Sequence, residues 1–488
     1  MAVGERAAVA SPPAPSGATA ESPADGDAGA QAPLAERIDA ALAAGFLQDA
    51  KVSVRAVDLA TGKVVYAHDP DLALNPASNV KLFTTAAAIS TLGPEHRYTT
   101  TAWIEDGTLS KGVVDGPIYL LGGGDPALVT GDLYELAMDV RAGGIDKING
   151  GVVVDATRFD KDGLPPGFDQ KDEFASYRAP LGASSVNFNT YVVVVHPGDA
   201  AGSPAEVMVN PPVSSFQVVN KVTTAQGVRN RVAVSIDDDG PKTKITVSGS
   251  IGVDAARGSY RYPVKDPSRY AGEVFALALR QAGVRLGRSK VSSDELPNRV
   301  ERFGVHRSPT LGVLIRSVNK LSNNFMAEQI LRTLGGDDAA TAAASLERLR
   351  EWTREIEIPQ TGLSLGNGSG LYDNNRISAA QMTQMLARMY ADFRYRADYL
   401  ASFAVMGVDG TTRRRLDESP ARRWIRAKTG TLDGVSALSG YAGAEGRAPI
   451  AFSILMNDLG RWETGAARRV QNEIAEMLAL ELVRPTRD

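Results

Sequence analysis

Apolar and polar positions change their spacing several times along the chain, and each change marks an element. LAERIDAALAAGFL, residues 34–47, repeats apolar residues at helical intervals, whereas VSVRAVDLATGKVVYAHD, 52–69, alternates them on either side of an ATGK turn. A helix and then a hairpin are predicted, feeding the alanine-rich apolar helix that starts within PASNVKLFTTAAAISTL, 76–92. Beyond residue 98 the order becomes strand, Gly-rich turn, helix, strand, in IYLLGGGDPALVTGDLYELAMDVRAGGIDKINGGVVVDA. That is the signature of a small α/β piece. From 158 to 295 short Val-rich strands dominate, among them YVVVVH, RVAVSIDDDG and TKITVSGSI, with a helix near EVFALALRQAG. Helices return in SPTLGVLIRSVNKLSNNFMAEQILRTL and ISAAQMTQMLARMYAD, and strands in RWIRAKTGTLDGVSALSGYAG and APIAFSILMND lead to a last helix, ARRVQNEIAEMLALEL.

These patterns give an α+β multi-domain reading: a disordered leader at 1–33, a main module at 34–98 and 296–488, a strand-rich insertion at 158–295, and a small α/β domain at 99–157 nested in the insertion. The leader is rich in Ala, Pro, Ser and Gly and has too little apolar surface to offset its ordering entropy. It lacks the continuous apolar run of a signal peptide.

Composition narrows the function. With 53 Lys and Arg against 57 Asp and Glu, the chain has no broad positive field for nucleic acid or for an anionic membrane. No apolar run approaches the roughly 18 residues of a membrane span. Cysteine is absent, so there are no disulfides, thiolate metal sites or cysteine nucleophile. The four histidines, His68, His96, His196 and His306, are scattered and form no HExxH. Neither GxxxxGK[ST] nor GxGxxG occurs, and no cofactor or metal is implied.

Three short polar stretches stand out instead. Ser78 lies three residues before Lys81, a spacing that puts both side chains on one helix face. A lysine amine can take a serine proton only when neutral, which requires burial or a neighbouring cation. Taken alone, Ser78 suits a helix cap and Lys81 a solvated charge, and the chain carries a second copy of the spacing in Ser317 and Lys320. KLSNNF, 320–325, offers Ser322 and Asn324 as short polar groups for a cleft wall. AKTGT, 427–431, runs Lys428, Thr429, Gly430 and Thr431 along a strand on which a substrate backbone could lie close.

In this order the three form the SxxK, SxN and KTG set of penicillin-binding proteins and class A β-lactamases. The chain resembles the peptidase S13 family, the class C low-molecular-mass penicillin-binding proteins. The stretch from Ser78 to Ser322 is far longer than a β-lactamase uses, and LLGGGDPAL, PPGFDQKDEFASYRAPLGASSVNFN, NGSGL, GVDGTTRRRL and KTGTLDGVSALSGYAG extend the likeness from about residue 34 almost to the end. The family usually has Asp at position 367, Ser at 372 and Ser-Asp-Asn as the second motif, where this chain has Asn367, Tyr372 and Ser-Asn-Asn.

The resemblance implies a penicillin-recognising transpeptidase/β-lactamase-like domain, an antiparallel sheet flanked by helices, with two nested insertion domains. It implies a serine D-Ala-D-Ala carboxypeptidase and DD-endopeptidase acting on peptidoglycan stem peptides, inhibited by β-lactams and placed in the periplasm or exposed to the cell wall. Ser78 would be the nucleophile, Lys81 its base, Ser322 the proton relay and Lys428 the charge that keeps the Lys81 pKa low. Asn324, Thr429, Gly430 and Thr431 would bind substrate, and Asp172, with Tyr177 beside it, would meet the amine of the stem peptide's diamino acid. A β-lactamase or esterase using the same residues, and a silent wall-binding homologue, are the alternatives.

Overall fold

The computed structural model describes residues 32–238, 242–287 and 290–483; all but the last two residues of the expected leader lie outside them. The fold is α+β. Its main sheet has six antiparallel strands in the order Ala404–Val405, Ile425–Leu432, Val435–Ala444, Arg447–Asn457, Lys51–Asp58, Val64–His68. The inner strands are buried on both faces because helices cover both. The terminal helix Thr464–Val483 lays Ile474 and Leu478 against Val54, Phe452 and Ile454. On the other face Val80–Leu92, Leu311–Leu321, Asn324–Thr333 and Ala379–Ala391 gather round Phe83, Ile330, Met385 and Tyr441. Enclosure of this kind replaces the alternating pattern of a half-exposed strand with a continuous apolar run. The same holds for Val80–Leu92, which lies inside the helical layer and is buried from Val80 through Ile89.

The residues between the two halves of this sheet build others. Thr99–Glu105, Ile118–Gly122, Val152–Asp155, Val291–Ser293 and Val300–Arg307 form one five-stranded sheet, covered by the helices Thr130–Ala142 and Pro267–Gln281. The Val-rich strands at 190–263 pair among themselves in two three-stranded sheets. The chain therefore leaves the five-stranded sheet for the Val-rich strands and then returns to it. Its last strand, Val300–Arg307, pairs with Thr99–Glu105 beyond residue 295, where the sequence pattern had the main module resume. Val291–Ser293 is too short and polar to announce itself in sequence, although it pairs in parallel with Val152–Asp155.

Two features hold the segment before the central helix Val80–Leu92. The Asn75 N–H donates a 2.8 Å hydrogen bond to Asn457 Oδ1, and Asn457 Nδ2 donates one of 3.0 Å back to the Asn75 carbonyl. Ala77 then adopts φ 46°, a left-handed conformation that costs a non-glycine residue about 1 kcal/mol or more. Two glycines close over this turn: a Cβ on Gly370 would fall 1.9 Å from the Ala77 carbonyl oxygen, and one on Gly430 would fall 2.6 Å from that of Pro76. Gly370 also has φ 75°. Gly370→Ala is expected to cost about 1 kcal/mol or more and to displace the turn, read as a lower Tm together with slower acylation of Ser78; a variant unchanged in both would contradict this account.

Candidate active site

Ser78 lies in a single 3-10 turn, Ala77–Asn79, directly before the central helix, and caps nothing: the N-cap position is Asn79. The half-buried Ser78 hydroxyl instead accepts a 3.0 Å hydrogen bond from Lys81 Nζ. That amine is fully buried and also donates to Asn324 Oδ1, at 2.8 Å, and to the Ser369 carbonyl. Three N–H groups thus meet three acceptors.

Ser322 ends the helix Leu311–Leu321 in a left-handed conformation, φ 58°, and Asn324 opens the helix Asn324–Thr333. This tight link between two helices presents both side chains to one cleft. Lys428 comes from the strand Ile425–Leu432, donating at 2.8 Å to Ser322 Oγ and at 2.8 Å to the Thr429 carbonyl. Ala404–Val405 pairs only with Arg426 and Ala427, so this strand has no further strand partner on its outer side among the described residues from Lys428 onward. Five residues, Lys428–Leu432, therefore have a strand partner on one side only.

Burial governs the charges. It is the main cause lowering the Lys81 pKa from 10.5 to about 7, against the attraction of Glu328, which acts to raise it. Lys428 is pushed well below its usual value by burial first and by Lys81 second. The expectation that Lys428 keeps the Lys81 pKa low is thus corrected in its cause: desolvation is what lowers Lys81, and the repulsion between the two amines lowers Lys428. Glu328 is itself buried, which raises its pKa, while the Gly368 and Ser369 N–H groups donate to its carboxylate at 3.1 and 2.7 Å.

The structure thus brings Ser78, Lys81, Ser322, Asn324 and Lys428 into one hydrogen-bonded cluster, with Thr429, Gly430 and Thr431 along its edge. Asp172 is exposed and lines no part of the neighbouring cavity, which measures about 580 Å³; its neighbour Glu173 does, with Tyr177, Tyr372, Asp373, Arg376 and Asp433. Glu173 also accepts a hydrogen bond from the Tyr177 hydroxyl. Sequence reading missed Glu328, although its place four residues after Asn324 on one helix was a usable signal. It also missed the role of the Ser369 carbonyl within NGSGL. The second Ser-Lys copy is explained differently: Ser317 lies within a helix, and Lys320 pairs with Asp409 at 2.5 Å. Asn367 donates to the Pro166 and Leu371 carbonyls at 3.3 and 3.1 Å, bonds an ionised aspartate could not make. Among the described residues no group of His, Asp or Glu is placed to hold a metal ion, and no helix is long and apolar enough to cross a membrane.

The D-Ala-D-Ala carboxypeptidase 3 (S13) family model matches residues 34–480. The chain belongs to this family. A D-alanyl-D-alanine carboxypeptidase of Actinomadura sp. is 34% identical over 464 residues, covering 91% of this chain and 84% of that protein. The D-alanyl-D-alanine carboxypeptidase DacB of Haemophilus influenzae is 27% identical over 75% of this chain and 76% of its own length. The crystal structure of penicillin binding protein 4 from Haemophilus influenzae shares the fold, with a TM-score of 0.76 at 22% identity over 92% of this chain and 99% of that one.

Because only neutral Lys81 can accept the serine proton, Ser78 acylation is expected to fall as pH drops through about 7 and to level off above it. Glu328→Gln removes a charge that raises the lysine pKa, so the acid limb of the pH–rate profile is expected to move to lower pH; an unmoved limb would show that Glu328 does not set it.

Proposed function

We propose that this protein is a serine-type D-alanyl-D-alanine carboxypeptidase of peptidoglycan stem peptides, that its site also opens stem-peptide cross-links, and that β-lactams inhibit it by acylating Ser78. The observation that carries this reading is the 3.0 Å contact between Ser78 Oγ and a buried amine whose pKa lies near 7. Ser78 attacks the carbonyl between the two D-alanines as Lys81 accepts its proton. The N–H groups of Ser78 and Thr431 hold the oxyanion, and losing one such donor costs about 2.7–4 kcal/mol in similar sites.

Ser322 passes a proton to the departing amine, and the proton that Lys81 took from Ser78 makes it good, leaving Lys81 neutral again; Lys428, 2.8 Å from Ser322 Oγ, holds that hydroxyl in place. The terminal D-alanine leaves, and water hydrolyses the acyl-serine with Lys81 again as base. Asn324 holds the amide on the acyl side, and its Nδ2 reaches the Tyr177 carbonyl at 3.4 Å in the free protein. The missing Gly430 side chain makes room for the Pro76–Ala77 turn rather than for substrate, while the Thr429 and Thr431 hydroxyls receive the terminal carboxylate. For the amine of the diamino acid, the cavity favours Glu173 over Asp172 as the facing carboxylate. A site of this kind works where peptidoglycan is, outside the cytoplasmic membrane, in the periplasm or at the cell wall.

The test is to incubate the protein with a labelled penicillin and follow the intact mass for hours, beside an assay of D-alanine released from an acyl-D-Ala-D-Ala peptide. A long-lived adduct and D-alanine release, both lost in Ser78→Ala, are expected. Rapid loss of the adduct would mark a β-lactamase, and no adduct at all would overturn the reading.

A further inference from the structure

The carboxylate end of the site has a charge problem that the three motifs leave open. Every Lys81 N–H is engaged, and Lys428 is directed to Ser322 and to the Thr429 carbonyl. The Thr429 and Thr431 hydroxyls are neutral. A substrate carboxylate bound by them alone would leave water without a countercharge.

The terminal helix supplies one. Arg468, in its second turn, places Nη2 3.3 Å from Thr431 Oγ1. The arginine is exposed, and among the described residues it makes no ion pair with a carboxylate. Its backbone is firmly held: Ala467 beside it is fully buried in the core between helix and sheet. Arg415 reaches across from the GVDGTTRRRL segment to donate to the Arg468 carbonyl at 3.2 Å, to Gln471 Oε1 at 3.3 Å and to Asn472 Oδ1 at 2.6 Å. Three bonds from one guanidinium thus fasten the helix where Arg468 meets the strand. The same segment places Thr411 Oγ1 2.8 Å from Thr429 Oγ1, so hydroxyls and guanidinium converge on the outer end of one short stretch of strand.

We propose that Arg468 is a specificity-determining residue whose guanidinium, next to the Thr431 hydroxyl, binds the C-terminal carboxylate of the scissile peptide and so selects free-acid termini over neutral ones. A planar guanidinium can hold a carboxylate through two parallel N–H bonds, which are stronger than bonds from neutral hydroxyls. The inference rests on the reading that Ser78 cleaves D-Ala-D-Ala ends, and it adds how the leaving residue is recognised.

The test compares kcat/KM for an acyl-D-Ala-D-Ala peptide with that for its C-terminal amide in the parent, Arg468→Ala and Arg468→Lys, with Tm measured for each. The expected result is that R468A lowers the acid-to-amide preference by about tenfold or more, mainly through KM for the acid. R468K, which keeps the charge but not the fork, is expected to restore part of it. An unchanged preference in R468A, or an equal loss on both peptides, would overturn the inference while the functional reading stands. A parent protein that cleaves neither peptide would overturn both.

Discussion

Placing the Lys81 amine out of water, within reach of a serine hydroxyl, is the constraint on which the rest of the structure depends. An ammonium in that position would be costly to desolvate, so burial drives the group toward the neutral form that chemistry needs. The surroundings then have to stop short of expelling it. The hydroxyl of Ser78, the amide oxygen of Asn324 and the carbonyl of Ser369 satisfy its N–H groups, and buried Glu328 holds the loop that carries Ser369. They come from three separate pieces of chain, with Asn324 and Glu328 on one helix, and they meet because the central helix is enclosed by its neighbours.

That enclosure explains why so large a protein surrounds so small a site. The turn bearing Ser78 is anchored to the sheet through Asn75 and Asn457 and covered by Gly370 and Gly430, whose missing side chains let two other segments lie against its backbone. The inserted residues contribute a wall: the segment carrying Glu173 and Tyr177 lies beside Asn324 and Tyr372 and narrows the approach to the cluster. Scaffold, turn and wall are separate pieces of chain, and the chemistry sits at their junction.

Much of this was legible in the sequence. Period-2 and helical spacing located the first helix and hairpin, the central helix and the closing strands, and the order of three short motifs pointed to the family. What stayed hidden depended on burial or on pairing between distant segments. Ser78 looks like a cap because serines often are caps, and only the folded turn shows its hydroxyl directed at Lys81. Spacing could select a lysine but could not show that desolvation is the main cause lowering its pKa. Asp172 and Glu173 are equivalent in sequence, and the backbone of one loop decides which faces the cavity. The return of the chain to the five-stranded sheet was invisible for a related reason, since parallel partners such as Val152–Asp155 and Val291–Ser293 lie far apart in sequence.

The open edge of the strand Ile425–Leu432 has a consequence of another kind. Most proteins shield such an edge, because an unpaired row of N–H and C=O groups invites a neighbouring chain to add a strand. Here the stretch without a second strand partner starts where Ala404–Val405 stops pairing and ends at the hairpin turn into Val435–Ala444. At about 3.3 Å per residue its five residues span roughly 16 Å. This edge is therefore a ruler: it is long enough to seat the end of an extended peptide, and it is bounded by a paired strand at one end and a hairpin turn at the other.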